Sequence, residues 1–217
     1  MVSLPFKDRS EAGRQLAIVL KGHAPAKPVV LALPRGGVAV ALEIALELAA
    51  PLELLLVRKI GVPWQPELAA GALVDANPPA LVLNEDVVAG TGMSRRDIDA
   101  AVERETQEIQ RRRDLYLQGR APLDLKGRSV IVVDDGLATG ATARAALRAL
   151  RGRGLQRLIV AVPVAPADTL ERLKAEADEV VCLATPSPFE AIGLYYRDFH
   201  QLSDREVTDA LARAQAT

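Results

Sequence analysis

Four aliphatic residues, Val130-Ile131-Val132-Val133, end in two adjacent carboxylates, Asp134 and Asp135. The chain then runs through Gly136-Leu137-Ala138-Thr139-Gly140-Ala141-Thr142 into a helical pattern. No polar alternation interrupts the run, which predicts a strand buried on both faces of a parallel sheet. Such a strand aims the two acids out at the carboxyl edge, where open α/β sheets take their ligands. The turn carries two glycines, two hydroxyls and nothing bulky or charged. Its N–H groups can face an anion, and the helix that follows adds the positive end of its dipole. Two carboxylates would repel a phosphate laid on them, but they suit the vicinal hydroxyls of a sugar. A ribose over Asp134 and Asp135 would place its 5-phosphate in the loop and its C1 outward. The turn contains no Gly-Lys-Ser/Thr, and Gly136 and Gly140 do not make G-x-G-x-x-G, so neither a P-loop nor a dinucleotide fingerprint fits.

The segment resembles the 5-phosphoribosyl-1-pyrophosphate (PRPP) signature of type I phosphoribosyltransferases in its hydrophobic strand, paired acids, Ala-Thr-Gly core and final Thr142. The resemblance runs from about Val29 to Phe199. It implies that Asp134 and Asp135 hold the ribose and that Gly136, Leu137, Ala138, Thr139, Gly140, Ala141 and Thr142 cradle the 5-phosphate. Mg2+ would come with PRPP and be held through water by Asp134 and Asp135. An acceptor nitrogen on a small molecule, a nucleobase or related heterocycle, would then displace pyrophosphate from C1. Family members that act on 6-oxopurines carry a third acid where this chain has Ala138, which disfavours hypoxanthine and guanine. The competing class is a non-catalytic PRPP or nucleotide sensor of the same fold, which would want a basic face or a lost pyrophosphate loop.

That loop is matched by Leu33-Pro34-Arg35-Gly36-Gly37. Its glycines permit close approach, a helix start follows, and a guanidinium can grip two phosphate oxygens. By the resemblance Arg35, Gly36 and Gly37 bind pyrophosphate, Arg35 joins Asp134 and Asp135 as the catalytic set, and the Pro34–Arg35 or Arg35–Gly36 bond is expected to be cis. Arg58 and Lys59 close the next strand and lead into Ile60-Gly61-Val62-Pro63-Trp64, the expected start of a mobile lid that excludes water and brings both cations to pyrophosphate. Aromatic residues are only 3% of the chain, yet Phe189, Tyr195, Tyr196 and Phe199 crowd into one segment after the last core strand. That is where the family's hood covers the acceptor, with Phe189, Tyr195 and Tyr196 as candidate stacking rings. A satellite core under the final helix is the alternative for Tyr195 and Phe199.

Elements alternate along the chain. Helices are expected over 10–20, 38–49, 94–117, 141–150 and 168–177, with a last one capped by Ser203-x-x-Glu206. Strands are expected over 29–33, 52–57, 130–133, 158–164 and 180–183. Residues 63–80 look loop-like, with extended pieces at 70–74 and 81–83. This order predicts one α/β domain over 1–217: a mainly parallel twisted sheet with helices on both faces and a core at 29–184. A lid and helical insertion would span 58–120, and a hood 185–202 plus the C-terminal helix. The 27 Lys and Arg balance 28 Asp and Glu, leaving no polyanion-binding charge. Arg111-Arg112-Arg113 is offset by Glu103, Glu105 and Glu108 on an amphipathic helix whose face could meet the hood or a second subunit, which leaves a homodimer open. The one cysteine, Cys182, fits a buried strand position. No apolar run reads as a signal peptide or membrane span, so a cytoplasmic protein without nucleic-acid or membrane partners is expected. Both acids of the pair are expected to be exposed at the strand end and to matter little to stability.

Overall fold

A computed structural model describes residues 3–23, 26–76 and 78–215. The chain opens with helix α1 (Arg9–Gly22), then β1 (Pro28–Ala32), α2 (Gly37–Glu47) and β2 (Leu52–Leu54). An insertion follows: β3 (Val57–Val62), β4 (Gln65–Val74), β5 (Ala80–Leu83), α3 (Glu85–Thr91) and α4 (Arg95–Leu117). The second half is β6 (Ser129–Val133), α5 (Ala141–Leu150), β7 (Arg157–Val164), α6 (Ala167–Leu173), β8 (Glu179–Ala184) and α7 (Asp204–Gln215), with a 3-10 turn at Ile192–Tyr195 between the last two. Five strands form a parallel sheet in the order β2-β1-β6-β7-β8.

Successive side chains of a strand face opposite ways, and here both faces are covered. Val30, Ala32, Ile131, Val133 and Ile159 pack toward α1, α2 and α7. Val29, Leu31, Val130, Val132 and Val160 pack toward α5 and Leu173 of α6. Every residue of β6 is buried, so its aliphatic run is the middle of the sheet.

The insertion differs from expectation. Within the stretch expected to be loop, residues 65–74 form one long strand, and β3, β4 and β5 make a second, antiparallel sheet turned at Pro63-Trp64. Pro66, Glu67 and Gly71 hide the period-two pattern in the ten residues of β4. Gly71 is needed there, because a Cβ would lie 2.4 Å from the Val82 carbonyl oxygen of the adjacent strand. One face of this sheet, with Ile60, Ala70 and Leu73, packs with Ile98 and Ala101 of α4. The other, with Val57, Ala72 and Val82, packs with Ala145 and Ala146 of α5. Helix α3 is a further element absent from the expected order; it is short and contains Gly90.

Helix α4 starts where the sequence places it. The Ser94 hydroxyl accepts from the Asp97 N–H while Asp97 accepts from the Ser94 N–H. Glu108 takes both Arg111 and Arg112, which holds its carboxyl at about 2, and Arg113 reaches across to Asp75 at 2.6 Å. Helix α7 carries Val207, Ala210 and Leu211 into the main core against α2 and α4, so the aromatic cluster does not sit beneath it. Cys182 lies in β8 as expected, and burial pushes its thiol up to about 11. Among the described residues no helix is long and apolar enough to cross a membrane.

Candidate active site

The site follows from the strand order. Strands β1 and β6 are hydrogen-bonded neighbours, so the loops leaving their carboxyl ends emerge side by side. The Leu33 N–H donates to the Val133 carbonyl at 2.9 Å, carrying the ladder one residue beyond β1. Pro34-Arg35-Gly36-Gly37 therefore lies directly against Asp134 and Asp135. A Cβ on Gly36 would sit 2.0 Å from Asp135 Oδ2, and one on Gly37 would sit 2.6 Å from the Val133 carbonyl oxygen. Both glycines are required by this approach rather than by unusual dihedrals. The Pro34–Arg35 peptide is cis.

The expectation of two exposed acids fails for Asp135. It is 8% exposed, and its Oδ2 accepts from Arg9 Nε at 2.7 Å. Asp134 is partly exposed, and its Oδ1 accepts the Asp135 N–H at 2.9 Å. Desolvation raises the carboxyls of both residues. For Asp134 the neighbouring Asp135 charge adds to that rise, whereas the Arg9 guanidinium opposes it in Asp135.

The turn after the acids fits an anion cradle. Leu137 is buried, and its N–H is anchored on the Val164 carbonyl at 2.9 Å; Ala138, Thr139, Ala141 and Thr142 remain exposed. Thr169 Oγ1 donates to the Ala138 carbonyl at 2.7 Å and fixes the outer rim. Gly140 enters α5 at φ 70° with no side-chain cap. Only glycine adopts that angle without strain; the Ala141 N–H donates to Thr139 Oγ1 at 3.4 Å, and the Thr142 and Ala143 N–H groups face the turn.

A family model for the phosphoribosyl transferase domain matches residues 11–198. The chain belongs to the phosphoribosyltransferase family. Two Mycobacterium tuberculosis proteins, from strains CDC 1551 and H37Rv, are each 50% identical to it over 209 residues, 96% of this chain; both bear the name phosphoribosyl transferase provisionally. The chain spans about half, 47%, of the length of these curated relatives. The crystal structure of TT1426 from Thermus thermophilus is 41% identical and superposes with a TM-score of 0.85, covering 97% of this chain and 99% of that one. The parallel sheet flanked by helices is the type I phosphoribosyltransferase fold, with the antiparallel sheet as an insertion.

Other residues singled out in this chain are not all gathered. Arg35 stands at the loop, but its guanidinium leans 3.6 Å from Asp204 at the start of α7, whose carboxylate also accepts from the Tyr116 hydroxyl. Arg58 and Lys59 lie on opposite faces of β3. Arg58 pairs with Glu105 of α4 at 2.7 Å. Lys59 lines a groove of about 360 Å³ with Ala141, Thr142 and Arg144, under the insertion. The hood rings pack on one another, Tyr196 and Phe199 stacked and the other pairs tilted. Phe189 lies 5.1 Å from Tyr195, Tyr196 is 5.1 Å from Phe199 and 5.5 Å from Phe6, and together they form a small core with Leu4, Ala12 and Val164. This satellite core is closed by the N-terminal segment, which pairs with the hood through Phe6 N–H to the Tyr195 carbonyl and Arg197 N–H to the Phe6 carbonyl, each 2.8 Å.

Arg9 is the residue that sequence reasoning missed. It sits after Asp8, whose carboxylate caps α1 by accepting the Glu11 N–H at 2.8 Å. Nothing in that local pattern distinguishes Arg9 from an ordinary solvated cation in a first turn, because its partner lies 126 residues away.

Proposed function

We propose that the protein transfers the 5-phosphoribosyl group of PRPP to an acceptor nitrogen on a small molecule, releasing pyrophosphate with inversion at C1. The observation that carries this reading is the packing of Gly36 and Gly37 against the Asp134–Asp135 pair, beside the Gly136–Thr142 turn. One edge of the sheet thus offers an acid for sugar hydroxyls, an N–H cradle for the 5-phosphate and a second N–H loop with Arg35 for pyrophosphate. A sensor that had dropped catalysis would not need that second loop.

Each part has a defined task. The turn and the first turn of α5 bind the 5-phosphate, which fixes the sugar. The acid pair offers a carboxylate to the ribose hydroxyls, and its negative charge supports the positive charge that develops at C1 as the bond to pyrophosphate lengthens. Arg35 and the Gly36 N–H receive the departing pyrophosphate, while the Gly37 N–H donates to the Leu33 carbonyl at 3.1 Å and holds the loop in place. The insertion, with Lys59 over the groove beside Thr142, excludes water. With so little covalent chemistry required, rate comes from holding donor and acceptor in line.

Carboxylate oxygens suit magnesium, which is commonly held by one or two carboxylates plus substrate phosphates. Among the described residues no three His, Cys, Asp or Glu side chains gather as a metal cage. Asp134 would hold it, directly or through water, and when bound it would neutralise charge on the leaving pyrophosphate. Cytoplasmic residence and a small-molecule acceptor complete the proposal. The test is pyrophosphate release from PRPP and magnesium with a panel of nucleobases and amines. Acceptor-dependent release supports the reading, and PRPP binding without release for any acceptor makes the protein a sensor instead.

A further inference from the structure

We propose that Arg9 is a positioning residue of this site: it commits Asp135 to the protein and leaves Asp134 as the carboxylate that meets the sugar hydroxyls. The inference rests on the phosphoribosyl-transfer reading and divides the paired acids into two roles. Arg9 is only 7% exposed and is held on three sides. Its Nε donates to Asp135 Oδ2 at 2.7 Å, Nη1 donates to the His200 carbonyl at 2.9 Å, and its guanidinium lies 3.9 Å above the Phe199 ring. A planar fork held at both edges and on one face is fixed in a way that a lysine could not reproduce.

Asp135 is held at one carboxylate oxygen and at its carbonyl. Its carboxylate is wedged between Arg9 and Gly36, where the space for a Cβ is already filled by Oδ2. Its carbonyl accepts from the Tyr196 hydroxyl at 2.5 Å. A ribose hydroxyl would have to displace either a buried guanidinium or the pyrophosphate-loop backbone to reach Oδ2, the oxygen that Arg9 holds. With Asp135 Oδ2 turned to Arg9 of α1, the site is left to Asp134, which lies beside Gly37 and stays partly exposed. The clamp reaches Asp134 through the Asp135 N–H on its Oδ1. The N-terminal helix, the hood and the signature strand thus meet at one guanidinium.

The test is calorimetric titration with ribose 5-phosphate and 2-deoxyribose 5-phosphate, whose affinity ratio reads hydroxyl recognition apart from phosphate binding. The parent should prefer the ribose form. Asp134→Asn should cut that preference roughly tenfold to a hundredfold, the size of one hydrogen bond to a charged group. Asp135→Asn, with Arg9 still donating to the amide oxygen, should change it by no more than about threefold, the size of a weak neutral hydrogen bond. Arg9→Gln should lose the preference while keeping its affinity for the 2-deoxy sugar, and Arg9→Lys should regain part of it. Since Arg9→Gln strands a buried carboxylate and can unfold the protein, Arg9→Gln/Asp135→Asn removes that charge and should recover the melting temperature without the preference. The proposal is overturned if folded Arg9 variants discriminate like the parent, if Asp135→Asn loses as much as Asp134→Asn, or if the parent binds both sugars equally. A parent that binds neither sugar phosphate nor PRPP contradicts the transferase reading itself.

Discussion

At the scale of single residues the site is made by close approach. Gly36 faces Asp135 with no room for a methyl group, so Gly36→Ala must push the carboxylate off Arg9 or shift the loop. A cost of about 1–3 kcal/mol is expected, as for other overpacked buried positions, together with weaker PRPP binding; chemical denaturation and calorimetry check both. Parent-like stability and affinity in this variant would mean that the loop does not press on the pair in solution. Tyr196→Phe removes only the hydroxyl that donates to the Asp135 carbonyl. It should cost about 1 kcal/mol in denaturant unfolding, the net worth of a buried hydrogen bond. The acids, the small-residue turn and the Arg-Gly-Gly loop are legible in sequence because each is a contiguous string with its own backbone demands. Arg9 is not, since only tertiary folding brings α1 onto the end of β6.

At the scale of elements, the hood and α7 are joined by a titratable clamp. His200 Nδ1 meets Asp198 at 2.9 Å and Nε2 meets Glu206 at 2.8 Å, while Glu206 also caps the start of α7 through Ser203. Glu206 and Asp198 raise His200 above its ordinary 6.5, and the Ser203 N–H with His200 holds Glu206 at about 2. The histidine's contribution is complete below pH 6.5 and fades as pH rises through its elevated folded value. Glu206 contributes above its ordinary 4.5 and loses that contribution as pH falls toward 2. His200→Gln should therefore lower the melting temperature most between pH 4.5 and 6.5 and very little in alkali, by a modest amount because the groups are exposed. A pH-independent difference would remove the clamp from the account. Long periodic elements are read closely from sequence: α5 matches its expected span, and α4 starts at its capping serine. The second sheet is not, because β4 carries proline and glycine inside a strand whose partners come from the same insertion.

At the scale of the whole molecule, one parallel sheet sets two loops side by side, the hood and N-terminal segment close one flank, and the insertion stands over the other. The sheet can be inferred from alternating apolar runs. The partnership of the chain's first residues with its hood cannot, since apolar patterning places the start of the core at Val29 and Phe6 carries no pattern of its own. The central claim is that the turn from Gly136 to Thr142 holds the 5-phosphate of a sugar lying over Asp134. The most direct measurement is a crystal structure with ribose 5-phosphate bound. Phosphate density is expected on the N–H groups of that turn and of the first turn of α5, with sugar hydroxyls at the Asp134 carboxylate. Phosphate bound instead at Gly90-Thr91-Gly92, with Thr139 and Thr142 untouched, would contradict it.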